Sequence, residues 1–192
     1  MDSTEGSTTR LAHRRWLART ASRCHGVVLD LGAGQGALGA FLPVSAQWIA
    51  LEPRPSGRLR RAVAGRPEAT ALAGAAETIP LDDATVDAVV CATVLCSVTD
   101  AELALREAHR VLRPGGILHF SEHVAAPAGS IAHRLQGLLS PFTRFLGRGC
   151  DPCRDTAAVL QASPFRDIRL EHLRYPGALG MLGPLIRGTA VA

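Results

Sequence analysis

Val27-Val28-Leu29-Asp30-Leu31-Gly32-Ala33-Gly34-Gln35-Gly36 is the stretch on which the fold of this chain turns. An apolar run carrying one acidic residue passes at once into alternating glycines. Such a run reads as a buried parallel strand entering a tight turn. Glycine there accepts a positive φ and lets a ligand approach the backbone closely. A helix expected over residues 37–41 would aim its N-terminal amides at that ligand. The pattern points to a cofactor that carries a nucleoside.

Two registers compete for the glycines. Gly34-Gln35-Gly36-Ala37-Leu38-Gly39 satisfies G-x-G-x-x-G, the dinucleotide fingerprint. In a dinucleotide site, however, the first glycine follows the strand immediately, and here that residue is Gly32. Counted from the strand end, the pattern is Asp30-x-Gly32-x-Gly34-x-Gly36, which resembles motif I of class I S-adenosylmethionine (SAM) methyltransferases. Both registers share Gln47-Trp48-Ile49-Ala50-Leu51-Glu52, a second strand ending in an acid about twenty residues on, placed to accept from ribose hydroxyls. These two motifs alone do not separate NAD from SAM.

Composition narrows the choice. At 192 residues the chain is long enough for one domain with a full core, and it leaves little for the second domain of a dehydrogenase. All 21 basic side chains are arginine, so the Tyr-x-x-x-Lys pair of short-chain dehydrogenases is missing, and the single tyrosine, Tyr175, stands near the end. The net charge is +4, and the densest arginine group, Arg58, Arg60, Arg61 and Arg66, reads as a solvated helix face. With aromatics at 4%, few stacking platforms exist, and no nucleic-acid partner is expected. Residues 2–9 are polar and read as a disordered tail. They lack the apolar core of a signal peptide, and no later stretch is long enough to span a bilayer, so a soluble cytoplasmic protein is expected.

Five cysteines, an odd number, suit a reducing compartment. Cys24, Cys91 and Cys96 read as small core residues. Cys150-Asp151-Pro152-Cys153 is a C-x-x-C pair with no second pair or histidine cluster to complete a zinc site, and no metal is expected.

Beyond Glu52 the periodicity alternates. A helix is expected over 58–64, a third strand over 69–73 and a fourth over 86–91. Thr99-Asp100-Ala101-Glu102 has capping-box spacing and opens a helix to about Leu112, which Arg113-Pro114-Gly115-Gly116 stops. A fifth strand follows over 117–123. In the tail, Ile131, Leu135, Leu138, Leu139 and Phe142 recur at helical spacing, with Arg134 and Gln136 off that face and Pro141 interrupting it. A short helix over 155–162 and strands over 165–175 and 187–192 complete an α/β sheet with helices on both faces. An N-terminal cap helix spans 10–21.

Two further segments carry the resemblance. Gly74-Ala75-Ala76-Glu77-x-Ile79-Pro80-Leu81-x-x-x-x-Val86-Asp87-x-Val89 looks like the adenine-binding segment of ubiquinone/menaquinone-type class I methyltransferases. Glu107-x-x-Arg110-Val111-Leu112-Arg113-Pro114-Gly115-Gly116 looks like their motif before strand five. Val89 to Val98 and Phe120-Ser121-Glu122-His123-Val124-Ala125 are similar to the vertebrate methyltransferase-like thiol methyltransferases. Those proteins carry an apolar N-terminal anchor, and the polar start here does not match it.

The resemblance implies a Rossmann-like class I methyltransferase domain over residues 1–192, its sheet mostly parallel with an antiparallel last strand. It implies SAM as cofactor and S-adenosylhomocysteine as product. Asp30, Gly32 and Gly34, with Gly36 in the same loop, would hold the methionine part, and Glu52 the ribose diol. Ala76 would meet the adenine edge through its backbone. Many relatives have Asp where Ala75 stands, so Glu77 is a candidate substitute. Cys91 would present its carbonyl to the SAM amine, with Thr93 and Leu95 near the reacting centre.

SAM brings an activated methyl group, so the protein needs only to position the reactants and exclude water. A thiol acceptor suits this, because thiolate is already a fraction of the thiol near neutral pH. His123, at the carboxyl end of strand five, is the candidate base, with Glu122 orienting it or facing away. His119 reads as core, and His13 as solvent-facing. Segments 125–162 and 176–184 are expected to build an apolar acceptor pocket for a lipophilic small molecule. Leu138, Leu139, Phe142 and Phe145 could instead make a peripheral membrane contact. The alternatives are a natural-product hydroxyl or a lipid amine as acceptor, a SAM- or nucleotide-binding domain without turnover, and last an NAD reductase.

Overall fold

The computed structural model describes residues 3–146, 149–173 and 184–192, with side chains from residue 11 on and without those of 142–148. Its strands are β1 (Val27–Leu31), β2 (Gln47–Glu52), β3 (Ala69–Ala73), β4 (Val86–Ala92), β5 (Leu112–His123), β6 (Arg166–Leu173) and β7 (Leu185–Val191). They form one seven-stranded sheet in the order β3-β2-β1-β4-β5-β7-β6. The first five are parallel to one another, and β7 runs antiparallel to both β5 and β6. The chain steps outward from β1 to β3, then returns to β4 on the other side of β1. That reversal leaves a crevice at the carboxyl ends of β1 and β4, where such folds bind ligands.

Alternation along each strand builds two apolar layers. Leu29, Leu31, Ile49 and Leu51 face α3 (Ala101–Val111) and α5 (Thr156–Gln161). Val28, Trp48, Ala50 and Val90 face α1 (Ser3–Ala21), a 3-10 turn (Leu38–Ala40) and α2 (Gly57–Ala64). Trp48 and Leu29 are fully buried, and each such side chain contributes about 1.5–3 kcal/mol by leaving water.

Several sequence expectations change here. The helix α1 begins at Ser3, so the described part of the polar start is helical rather than a disordered tail. Only a three-residue 3-10 turn, Leu38–Ala40, stands where a helix over 37–41 was expected. Asp100 rather than Thr99 caps α3, its Oδ1 accepting the Leu103 N–H at 2.9 Å. The strand β5 begins at Leu112, pairing with Val86 before a register shift, rather than after the Pro-Gly-Gly. Arg66 is no solvated charge: its guanidinium donates to the Gly39, Leu42, Pro43 and Ala46 carbonyls and holds the loop before β2.

The helix α4 (Ile131–Leu146) is rotated away from its hydrophobic pattern, with Leu135 and Leu139 only half-buried and Arg134 exposed. Gln136 is fully buried, while Ile131 is 73% and Leu138 71% exposed. The Gln136 amide accepts the Ala126 N–H at 2.7 Å and donates to the Val124 carbonyl at 3.3 Å. Those are buried backbone groups of the segment leaving β5, and satisfying them sets the rotation of the helix. The side chains of Phe142 and Phe145, and the expected pocket segment 176–184 except Pro184, lie outside the described residues. No helix among the described residues is long and apolar enough to cross a membrane.

Candidate active site

The crevice at the end of β1 and β4 is a cleft of about 490 Å³, within the range that encloses a cofactor. Gly32, Gly34, Glu52, Ala76, Glu77 and Thr93 all line it. Gly32 has φ +69°, and a Cβ there would lie 2.5 Å from Val94 Cγ2. Gly34 has φ +56° and donates its N–H to Glu52 Oε2 at 3.0 Å. The two glycine requirements are therefore a left-handed backbone and close approach of the loop after β4. The Glu52 carboxylate at the tip of β2 holds the glycine turn while it faces the cleft.

Asp30, Gly36 and Cys91 lie behind the cleft rather than in its lining. Asp30 turns toward the opposite layer, where its Oδ2 accepts the Trp48 indole N–H at 3.3 Å. Burial pushes its pKa up to about 7, against the Trp48 hydrogen bond and with the help of the Glu52 charge. Gly36 packs against Leu59, Ala62 and Trp48, so its role is steric. Cys91 is fully buried and donates its thiol to Glu122 Oε1 at 3.3 Å, and the next residue, Ala92, reaches the cleft wall.

Glu77 Oε1 accepts the Thr99 N–H at 2.8 Å and the Asp100 N–H at 3.3 Å, tying the cleft rim to the entrance of α3. The Glu-x-x-Arg of the motif before β5 has a similar task. Glu107 Oε2 accepts the Ile79 N–H, and Arg110 donates to the Ile79 and Leu81 carbonyls and to Asp83. This clamp shapes the loop that follows Ala76 and Glu77.

Thr93 is a feature that sequence reasoning reached only by resemblance. Its φ is +59°, costly for a β-branched residue. Its N–H donates to the Ser121 carbonyl at 2.8 Å, and its own carbonyl accepts the Ser97 hydroxyl at 3.3 Å. Strain of this kind gathers at ligand sites.

At the end of β5, Glu122 and His123 point to different surroundings, as neighbours on a strand must. Glu122 is fully buried, and its carboxylate accepts the Val94 N–H at 2.9 Å and the Cys96 N–H at 3.2 Å besides the Cys91 thiol. Burial raises its pKa, with these hydrogen bonds opposing. It organises the loop after β4 and does not orient the His123 ring through a hydrogen bond.

His123 Nδ1 lies 3.6 Å from the sulfurs of both Cys96 and Cys150, and those sulfurs are 3.5 Å apart. Burial opposes a charge on the ring, but the Cys96 thiol and the Glu122 carboxylate outweigh it and hold the pKa above its ordinary value. The Cys96 thiol beside it lowers the pKa of Cys150. The spacing pairs Cys150 with Cys153, whereas folding sets it against Cys96, 54 residues away in the chain. Cys96 is therefore not simply a core thiol, and no local pattern could announce the cluster.

The two remaining histidines of interest take other places. His119 lines a separate cavity of about 460 Å³ with Trp16, Arg19 and Arg187, and burial, aided by Arg23, lowers its pKa to about 4. His13 is half-buried rather than solvent-facing. Burial first, then the nearby Arg187 and His123, lower its pKa.

Comparison with known proteins gives this geometry a family. Residues 29–120 match the model of a methyltransferase domain. The human thiol S-methyltransferase TMT1B is 37% identical over 170 residues, covering 85% of this chain and 70% of its own. The UbiE ubiquinone/menaquinone biosynthesis C-methyltransferase of Caulobacter vibrioides is 48% identical over 66 residues, covering 33% of this chain and 26% of its own. Among solved structures, 1,6-didemethyltoxoflavin-N1-methyltransferase of Burkholderia thailandensis, with bound S-adenosylhomocysteine, superposes with a TM-score of 0.69 at 18% identity, covering 93% of this chain and 77% of its own. The chain belongs to the class I SAM-dependent methyltransferases. SAM is its cofactor, and the NAD reading of the glycine loop falls away.

Proposed function

We propose that the protein transfers the methyl group of SAM to the sulfur of a small lipophilic thiol. The observation that carries this reading is the 37% identity to a human thiol S-methyltransferase, which spans 85% of the chain and so runs well beyond the cofactor core. Gly32 and Gly34 would receive the methionine part of SAM, Glu52 the ribose diol and the Ala76 backbone the adenine edge. Thr93 and Val94, held by Ser121 and Glu122, form the wall nearest the reacting centre.

The chemistry asks little of the protein beyond placement. SAM supplies a methyl group on a sulfonium leaving group. A thiolate lined up behind the methyl carbon displaces S-adenosylhomocysteine in one step, and correct alignment supplies several kcal/mol of the barrier. Free cysteines throughout the described chain suit a reducing, cytoplasmic setting for such an acceptor.

A panel of thiols, phenols and amines, assayed for S-adenosylhomocysteine release, tests the acceptor class. Turnover of lipophilic thiols above all others is expected. Turnover of phenols or lipid amines without thiols would replace the reading by one of those acceptors. Calorimetry with SAM and no turnover of any acceptor would leave a binding domain.

A further inference from the structure

The Cys96, His123 and Cys150 side chains form a cluster at the ends of β4 and β5. Among the described residues it is a group whose ligand atoms all lie within 4.8 Å of one another. Its internal distances match those of a metal site. In a tetrahedral zinc site, Zn–S bonds of about 2.3 Å and Zn–N bonds of about 2.0–2.1 Å place sulfur about 3.8 Å from sulfur and about 3.5–3.6 Å from nitrogen. Here the sulfurs are 3.5 Å apart, and each lies 3.6 Å from His123 Nδ1. The three atoms thus occupy three corners of such a tetrahedron to within a few tenths of an ångström.

The cluster is also held in place from several sides. The Asp151 N–H donates to the Cys96 carbonyl at 2.7 Å, and Thr156 Oγ1 donates to the His123 carbonyl at 2.9 Å. Arg154 Nη1 donates to the Leu95 carbonyl at 2.7 Å, and the Ala125 N–H to the Arg154 carbonyl at 3.0 Å. These bonds fasten the loop bearing Cys150 onto the ends of β4 and β5. Cys96 is fully buried, while His123 and Cys150 are only half-buried, so one side of the cluster remains reachable. The neighbour of Cys96, Ser97, lines the cofactor cleft.

We infer that Cys96, His123 and Cys150 bind a zinc ion, whose fourth position takes the sulfur of the methyl acceptor. Two cysteines and one histidine with an open position make a catalytic rather than a closed structural donor set. On coordination the acceptor thiol gives its proton to water and stays thiolate on the metal. Its sulfur lone pair forms the new C–S bond, the S–CH₃ bond of SAM breaks with its electrons passing to the S-adenosylhomocysteine sulfur, and a neutral thioether leaves. His123 is then a ligand rather than a base. The acceptor part of this inference rests on the thiol reading above, whereas the metal part does not.

The test uses the full chain, reduced and stripped of metal with a chelator. Zinc titration followed by metal analysis should show stoichiometric uptake. Cobalt(II) should give the absorption of a tetrahedral thiolate site, and this should change when a small thiol such as thiophenol is added. Cys150→Ser and His123→Asn should each weaken zinc binding by more than the roughly 10–100-fold that loss of an outer-sphere partner costs, while Cys153→Ser should not. Circular dichroism establishes that each variant is folded. No uptake by the reduced protein, or uptake lost with Cys153→Ser but kept with Cys150→Ser, overturns the site. A cobalt spectrum indifferent to thiophenol overturns the acceptor's place on the metal. Thiol methylation undiminished in metal-free protein sinks the zinc role and leaves the thiol reading standing. Zinc uptake without turnover of any thiol does the reverse.

Discussion

Glu122 Oε1 accepts the Val94 N–H at 2.9 Å, joining the end of β5 to the loop that walls the cleft at the ends of β1 and β4. The other oxygen accepts the Cys96 N–H at 3.2 Å. This is a positioning role, because the carboxylate is fully buried and faces backbone amides.

Glu122→Gln therefore places an amide donor against a backbone donor, whichever way the side chain is flipped. Stability should fall by roughly 1–3 kcal/mol, the cost of an unsatisfied buried group, read as a lower urea midpoint. The pH profile of the turnover that survives should keep its shape. A changed profile would show that Glu122 exchanges a proton in the reaction.

Glu52 combines two duties at the tip of β2. Loss of its carboxylate in Glu52→Ala frees the Gly34 N–H and, on the proposed assignment, removes the acceptor for the ribose diol. Charge-assisted hydrogen bonds contribute about 1.5–3 kcal/mol each, so SAM affinity should drop by roughly 10–100-fold in calorimetry. Glu52→Gln should lose less. Unchanged affinity in Glu52→Ala would place the ribose elsewhere.

Asp30 makes stability depend on pH in an unusual direction. Its pKa is pushed up to about 7 by burial, whereas an unfolded Asp titrates near about 3.9. Between about pH 4 and pH 7 the folded state holds the extra proton, so unfolding releases it and stability declines as pH rises. Asp30→Asn keeps an acceptor for the Trp48 indole and abolishes this decline. It should melt several degrees above the parent at pH 8, and the difference should vanish near pH 4. An equal difference at both pH values would refute the assignment.

Thr93 is held at φ +59° beside the cleft. A left-handed conformation costs a side-chain-bearing residue about 1–2 kcal/mol. Thr93→Gly should therefore raise the melting temperature by roughly 2–4 °C per kcal/mol recovered while lowering turnover, because the wall loses its side chain. A lower melting temperature would mean that the hydroxyl bond to the Ala92 carbonyl matters more than the strain.

Much of this was legible in the chain. The Val27 run, the glycines and Glu52 carry local signals, namely period, turn chemistry and a strand-end charge, and they specified the parallel strands and the glycine-lined end of the cleft. Residues 74–77 and the Glu107–Arg110 pair were recognisable by pattern, although only the structure shows the pair clamping Ile79 and Leu81. The rotation of α4 was not legible, since buried backbone groups near Val124 and Ala126 draw in Gln136 against the apolar stripe. Nor was the meeting of Cys96, His123 and Cys150, which depends on three segments brought together by the β4–β5 pairing and the loop before α5.

The central claim is methyl transfer from SAM to sulfur, and a single acceptor bearing both a thiol and a phenol tests it most directly. The protein is incubated with SAM labelled on its methyl group and an aromatic hydroxythiol, and the product is resolved by mass spectrometry. Label on sulfur, with one S-adenosylhomocysteine released per thioether, is the predicted result. Label on the phenolic oxygen, with the thiol left free, would contradict it.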